Sequence, residues 1–190
     1  MSRTKRSQTA AAATELAGNG AQPGPPAPDL VARGMAQWQR ERPDIDCSGK
    51  AVVGRIVMLQ DIVLKTVNTA LAPYGLRYPA YAVLATLRAA GAPYRLSPSQ
   101  LQATMLFSSG GISNLLARVE QQGYIRRSTD PADKRGVQVA LTRKGLALAD
   151  RAMIDHAAAE RNLCSMFTKT EQNELALLLS RMIAGNADEV

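Results

Sequence analysis

The 190-residue chain has one histidine, one tryptophan and two cysteines. A single histidine leaves His-based acid–base relays and His-rich metal cages without partners. Cys47 and Cys164 are too far apart in sequence for a metal-ligand spacing, and two cysteines make no disulfide framework. Aromatics are only 4% of the chain, so the core must be built from Leu, Val, Ile, Ala and Met. No apolar run approaches the roughly 18 residues that a membrane helix needs. Residues 1–29 open with Arg3, Lys5 and Arg6, yet Glu15, Gly18 and Asn19 break the apolar block a signal peptide requires. Nucleophile–base pairs, Gly-rich phosphate loops and metal clusters are all missing. The expectation is a cytoplasmic protein that is not an enzyme, carries no cofactor and binds no membrane.

What the chain does have is basic charge, with a formal net charge of +7. Such a balance suits a polyanionic partner, either nucleic acid or an anionic membrane surface, and does not choose between them. Residues 1–29, rich in Ala, Gly and Pro, bury little and are expected to form a disordered tail. Order is expected to begin near Asp29, with a short helix that carries Leu30, Gly34, Met35 and Trp38 on one side. From 50 to 72, Val52, Val53, Ile56, Leu59, Ile62, Val63, Val67 and Leu71 recur at helical spacing. Pro79 opens another helix, which Gly91 and Pro93 end.

SPSQ at 97–100 is a helix start with Ser97 as cap and Gln100 at the capping-box position. FSSGG at 107–111 interrupts that short helix. A further helix follows to Gln122, with Ile112, Leu115, Leu116 and Val119 at i, i+3, i+4 and i+7. Two strands are expected at 124–128 and 137–141, the second with Val137, Val139 and Leu141 facing one way. Asp130, Pro131 and Asp133 supply turn chemistry between them. Thr142 opens a long helix to about Cys164, where the thiol is expected as buried filler. TKTE at 168–171 is a second capping box and opens the last helix, with Leu175, Leu178, Leu179 and Met182 on its apolar side.

Helix, turn, helix and hairpin in this order make a winged helix. The fold class is mainly α with a small β-wing. The second helix of the pair, from about Ser109 to Gln122, would lie in a major groove. Its polar face carries Gly110, Ser113, Asn114, Ala117, Arg118 and Gln121. Ser113 and Asn114 can bond base edges or phosphates, and Arg118 can fork onto a guanine. Ser108 and Ser109 in the turn, with Ser97 and Ser99 at the first helix, complete a candidate DNA-contacting set. At the hairpin tip, Lys134 and Arg135 can reach a neighbouring minor groove, with Asp133 orienting the tip.

Asp133, Arg135, Val139, Leu141, Thr142 and Gly145 reproduce D-x-R-x-x-x-V-x-L-T-x-x-G, which resembles the wing signature of the MarR (multiple antibiotic resistance regulator) family. SSGGISNLLARVEQQGYIRR resembles that family's recognition helix and first wing strand. The resemblance covers roughly residues 50–184. It implies a homodimer on a pseudo-palindromic operator in double-stranded DNA, repressing until a small ligand or oxidation releases it. On that reading residues 30–184 form one winged-helix domain. A DNA-binding lobe spans about 76–142, dimerisation helices span about 30–72 and 143–184, and 185–190 form a C-terminal tail.

WQRERPDID at 38–46 resembles a subgroup with an extra N-terminal helix, some members of which sense urate or related aromatic acids. The resemblance implies a ligand role for Trp38 and Arg127. Ala82 and Leu115 stand where that subgroup has an Asp and an Arg, and Ala117 stands where an Asp often precedes the recognition-helix Arg. A small aromatic acid is the expected effector, with Trp38, Arg42, Arg77 and Tyr81 as its contacts. Trp38 also reads as a packing residue, and Tyr74, Tyr78 and Tyr81 as either pocket lining or filling. Two alternatives stay open. One is a thiol-based redox-sensing repressor using Cys47, which sits before a helix and near Lys50. The other is a winged-helix module for protein interaction.

Overall fold

The computed structural model describes residues 27–105, 111–129 and 136–186. The chain divides into two compact units, with the boundary after Arg55.

In the first unit, α1 (Leu30–Glu41) starts where the Asp29 side chain accepts a hydrogen bond from the Ala32 amide. That bond, more than the Arg55 guanidinium beside it, holds the Asp29 carboxyl below the ordinary aspartate range. Arg55, in α2 (Lys50–Leu71), reaches back to Asp29 through Nε at 2.8 Å and Nη2 at 3.2 Å. The buried residue of α1 is Val31, packed on the Gly54 backbone of α2. Leu30, expected on the apolar side, is 62% exposed, and Trp38 is 46% exposed. Gly34 and Met35 are half-buried beside Val31, so the inward face of α1 keeps these two expected residues and has Val31 in the place expected for Leu30. Val31 takes it because Gly54 leaves room there for a branched side chain.

In the second unit, the last turns of α2 bury Val67 and Leu71. A short 3₁₀ turn, Ala72–Tyr74, leads to α3 (Tyr78–Ala89), whose first amide, Tyr78 N–H, donates to Asn68 Oδ1 at 2.9 Å. α3 is the centre of the core, with Val83, Leu84 and Leu87 fully buried. Two polar ties reach α6 (Arg143–Leu163): from the 3₁₀ turn the Tyr74 hydroxyl donates to Asp155 at 2.6 Å, and from α3 Arg88 pairs with Asp150 at 2.6 Å.

β1 (Arg95–Leu96) precedes α4 (Pro98–Thr104), and α5 (Ile112–Gln121) precedes the hairpin strands β2 (Ile125–Thr129) and β3 (Val137–Leu141). The three strands are antiparallel in the order β1-β3-β2. The expected hairpin is therefore present with a third strand added, since β1 pairs Arg95 with Ala140 and Leu96 with Val139. Val139 and Leu141 are buried as expected, but Val137 is 44% exposed. Val137 pairs with Thr129 at the end of the ladder, beyond the reach of the core.

Both expected capping boxes form, Ser97 with Gln100 on α4 and Thr168 with Glu171 on α7 (Lys169–Ala184). Each satisfies helix-end amides that would otherwise lack a partner. Cys164 follows α6 as its C-cap and is exposed rather than buried, because the helix ends there and the chain turns outward. None of the described helices is long and apolar enough to cross a membrane.

Candidate nucleic-acid interface

α5 is amphipathic in the manner the spacing predicts. Leu116 and Val119 are buried, and Ile112 and Leu115 pack against the same core. The opposite face exposes Ser113, Asn114, Ala117, Arg118 and Gln121. Arg118 has no ion-pair partner among the described residues. The helix starts at Gly111, whose φ of 97° lies in the left-handed region that only glycine enters freely. Among the described residues no side chain caps this end, so the first amides of α5 have no side-chain acceptor there.

Two contacts lock α5 to the sheet. Glu120, near the end of α5, accepts the Arg127 backbone amide on Oε1 at 2.7 Å and Arg127 Nε on Oε2 at 2.7 Å. Bonding to the Arg127 guanidinium first, and to its amide second, holds the Glu120 carboxyl below the ordinary glutamate range. Thr142 ties the far end of the hairpin: its hydroxyl donates to the Gly123 carbonyl at 2.7 Å and accepts the Gly145 amide at 3.0 Å. Gly145 lies so close to the Tyr124 carbonyl that any Cβ would overlap it. Hydrogen bonds therefore join α5 directly to β2, and a close backbone approach joins the start of the hairpin to the start of α6.

At α4, Ser97 Oγ accepts the Gln100 amide at 3.1 Å and shares a hydrogen bond with Ser99 Oγ at 2.9 Å. The two hydroxyls sit together at the helix start, with Ser99 exposed. Ser108, Ser109, Gly110, Asp133, Lys134 and Arg135 lie outside the described residues.

The expected ligand contacts fall in different units. Trp38 is in the first, where Lys50 Nζ sits 4.3 Å from its ring centroid. Arg42, also in the first, is engaged by both oxygens of Asp44, at 2.8 and 2.6 Å. Arg77 and Tyr81 belong to the second unit. Arg77 is exposed and precedes α3. Tyr81 is 6% exposed and stacks on His156, with centroids 4.4 Å apart. Burial, with the Glu160 charge and Tyr78 adding to it, pushes the Tyr81 hydroxyl up to about 12. Tyr78 also stacks on His156, with centroids 5.8 Å apart, and lies 6.3 Å from Tyr81.

His156 is itself only 7% exposed; its Nδ1 lies 3.4 Å from Glu160, and its Nε2 has no hydrogen-bond partner among the described residues. Sequence reasoning found neither this aromatic stack nor the Glu120–Arg127 bond. Each joins residues that no local pattern links. Cys47 is half-buried in the loop between α1 and α2. Among the described residues, no three His, Cys, Asp or Glu side chains are placed to hold a metal ion.

Comparisons with known proteins agree with this geometry. The MarR family model matches residues 74–136, the span from the end of the 3₁₀ turn to just before β3. The HTH-type transcriptional regulator PecS of Dickeya dadantii is 34% identical over 148 residues, covering 78% of this chain and 89% of PecS. A mutant MarR of Escherichia coli complexed with operator DNA superposes with a TM-score of 0.64 at 25% identity, covering 73% of this chain and 99% of that one. A MarR-like transcription regulator of Bacillus cereus superposes with a TM-score of 0.65 at 23% identity, over 73% of this chain and 97% of that one. These relatives are transcriptional regulators, not enzymes.

Proposed function

The chain belongs to the MarR family of DNA-binding transcriptional regulators, and on that premise we propose that it is a homodimeric repressor released from its operator by a small aromatic acid. The observation that carries the DNA half is the exposed face of α5, where Ser113, Asn114 and an unpaired Arg118 stand on a helix locked to the wing strands. Ser113, Asn114 and Arg118 read base edges. Ser97 and Ser99 grip phosphates beside them, together with Ser108, Ser109 and Gly110 of the turn. Lys134 and Arg135, oriented by Asp133, enter the minor groove. Residues 76–142 form the DNA-binding lobe. The helices at 30–72 and 143–184 join two copies, because α2 exposes Val57, Leu59 and Ile62, and α7 exposes Leu177, Leu178 and Ile183. Apolar faces of this extent mark interaction surfaces.

The ligand half rests on chemistry. Tyr81 and His156 offer stacked aromatic faces, Trp38 offers a half-exposed indole, and Arg77 or Arg42 offers a cation for a carboxylate. Arg42 would exchange Asp44 for the ligand. The ligand works only by preferring a conformation that does not fit DNA.

The test starts from a duplex that the protein itself selects from a randomised pool. Affinity should fall with salt at a log–log slope of about −0.9 per phosphate contact. Arg118→Ala should cost about 1–3 kcal/mol and relax preference at one base pair per half-site. Uniform weakening on all sequences would make Arg118 a phosphate contact. Benzoic and hydroxybenzoic acids are then titrated, reading Trp38 fluorescence and duplex release. If none releases the duplex while peroxide does, and Cys47→Ser abolishes that release, the thiol replaces the acid as the signal.

A further inference from the structure

Pairing in the three-stranded sheet sets a row of residues directly opposite one another. Arg95 of β1 faces Ala140 of β3, and Ala140 faces Arg126 of β2. Opposed residues in an antiparallel ladder share a face, and alternate residues take the other. Ile125, Arg127, Val139 and Leu141 belong to the inner face, which holds the core through Ile125, Val139 and Leu141. Arg95, Ala140 and Arg126 therefore belong to the outer face, where both arginines are exposed. Two strand spacings separate them, about 9–10 Å between backbones. The residue between them is Ala140, only 8% exposed, whose methyl group puts no arm of its own between the two guanidinium groups.

Among the described strand residues this face carries cations and no balancing acid. None of the residues of β1, β2 or β3 is acidic. Four other arginines are ion-paired: Arg42 with Asp44, Arg55 with Asp29, Arg88 with Asp150, and Arg127, the immediate neighbour of Arg126, with Glu120. Arg95 and Arg126 have no ion-pair partner among the described residues. Both are also tied mechanically to the recognition elements. Arg95 stands two residues before Ser97, the cap of α4, and Arg126 follows α5 through the Gly123–Tyr124 turn that Thr142 holds.

We propose that Arg95 and Arg126, on either side of Ala140 on the outer face of the wing sheet, form a two-pronged clamp for the sugar–phosphate backbone of the operator. The inference rests on the DNA-binding reading above and extends it to a part of the sheet away from the recognition helix and the hairpin tip. Guanidinium groups bind phosphate oxygens through paired N–H donors, and such contacts fix register without reading sequence. The clamp holds the joined helix and wing strands against the duplex, so that Arg118 reaches the same base pair in each binding event.

The experiment uses the full chain and the duplex it selects. Affinity is measured from low to physiological salt for the wild type, Arg95→Gln, Arg126→Gln, the double variant, Arg126→Lys and Arg161→Gln. Each Gln variant should flatten the log–log slope by about 0.9 per protomer, and the double variant by twice that. Base preference and thermal midpoint should stay unchanged. Arg126→Lys should keep the slope, because it keeps the charge. Arg161→Gln, at the far end of α6, should keep it too. Wild-type slope and affinity in the double variant would overturn the clamp alone. A wild type that selects no duplex would overturn the DNA-binding reading and the clamp with it. A slope change equal to that of Arg161→Gln would reduce both arginines to general net charge and also overturn the clamp.

Discussion

Gly145 and Gly34 show how differently one residue type is constrained. A Cβ at Gly145 overlaps the Tyr124 carbonyl, and that carbonyl is itself held by the Thr142 amide at 3.0 Å, so the neighbour cannot yield. Gly34, inside α1, has nothing within 4 Å of an added Cβ. Gly145→Ala should destabilise the protein by about 3 kcal/mol, the upper end of what overpacking costs. Gly34→Ala should stabilise it by roughly 0.5–1 kcal/mol through helix propensity. Urea unfolding of the two variants measures both, and equal effects would contradict the close approach. Gly145 is legible in the sequence as the last position of the wing pattern. The reason for it is not, because Tyr124 is distant in sequence and touches it only after the hairpin closes. The same holds for His156, whose isolation in the sequence hides a stack against two tyrosines from another helix.

Among elements, those with a local signature were readable. α4 and α7 announce themselves by capping boxes, and α5 by four apolar residues at helical spacing. β1 could not be read, since two residues show no alternation and pairing with β3 alone makes them a strand. The bond between α5 and β2 was equally hidden, because Glu120 and Arg127 meet only across the Gly123 turn. That bond makes a pH prediction. The Glu120 carboxyl is depressed in the folded state relative to the unfolded chain. Its contribution is therefore fully present above the ordinary glutamate range and is lost as pH falls through the depressed value. The pair is partly exposed, so the effect is small. Glu120→Gln should be less stable than the wild type at neutral pH, and the difference should vanish in acid. Thermal midpoints across that range measure it. A gap that persists or grows in acid would rule out the carboxylate as its source.

For the whole molecule, the exposed apolar side chains are the observation behind the proposed dimer. Leu177 is 61% exposed, Leu178 58% and Ile183 72%, all on α7, while α2 exposes Val57 at 58% and Leu59 at 53%. A lone soluble chain gains nothing from such faces, whereas a second copy would cover them. Two recognition helices on one side of a duplex must stand about 34–36 Å apart, and only a fixed dimer sets that distance. Leu178→Glu is a clean probe, because an exposed position takes a charge without disturbing the protomer's own core. Sedimentation should show the wild type as a dimer and Leu178→Glu shifted to monomer, with unchanged helix content. The monomer keeps its phosphate contacts but makes only one set of them, so its salt slope should be about half that of the dimer. Its preference for a two-half-site duplex over a single half-site should disappear. Should Leu178→Glu stay dimeric with a full slope, α7 is not the joining face, and the same charge placed at Ile62 on α2 is the next substitution to break the pair.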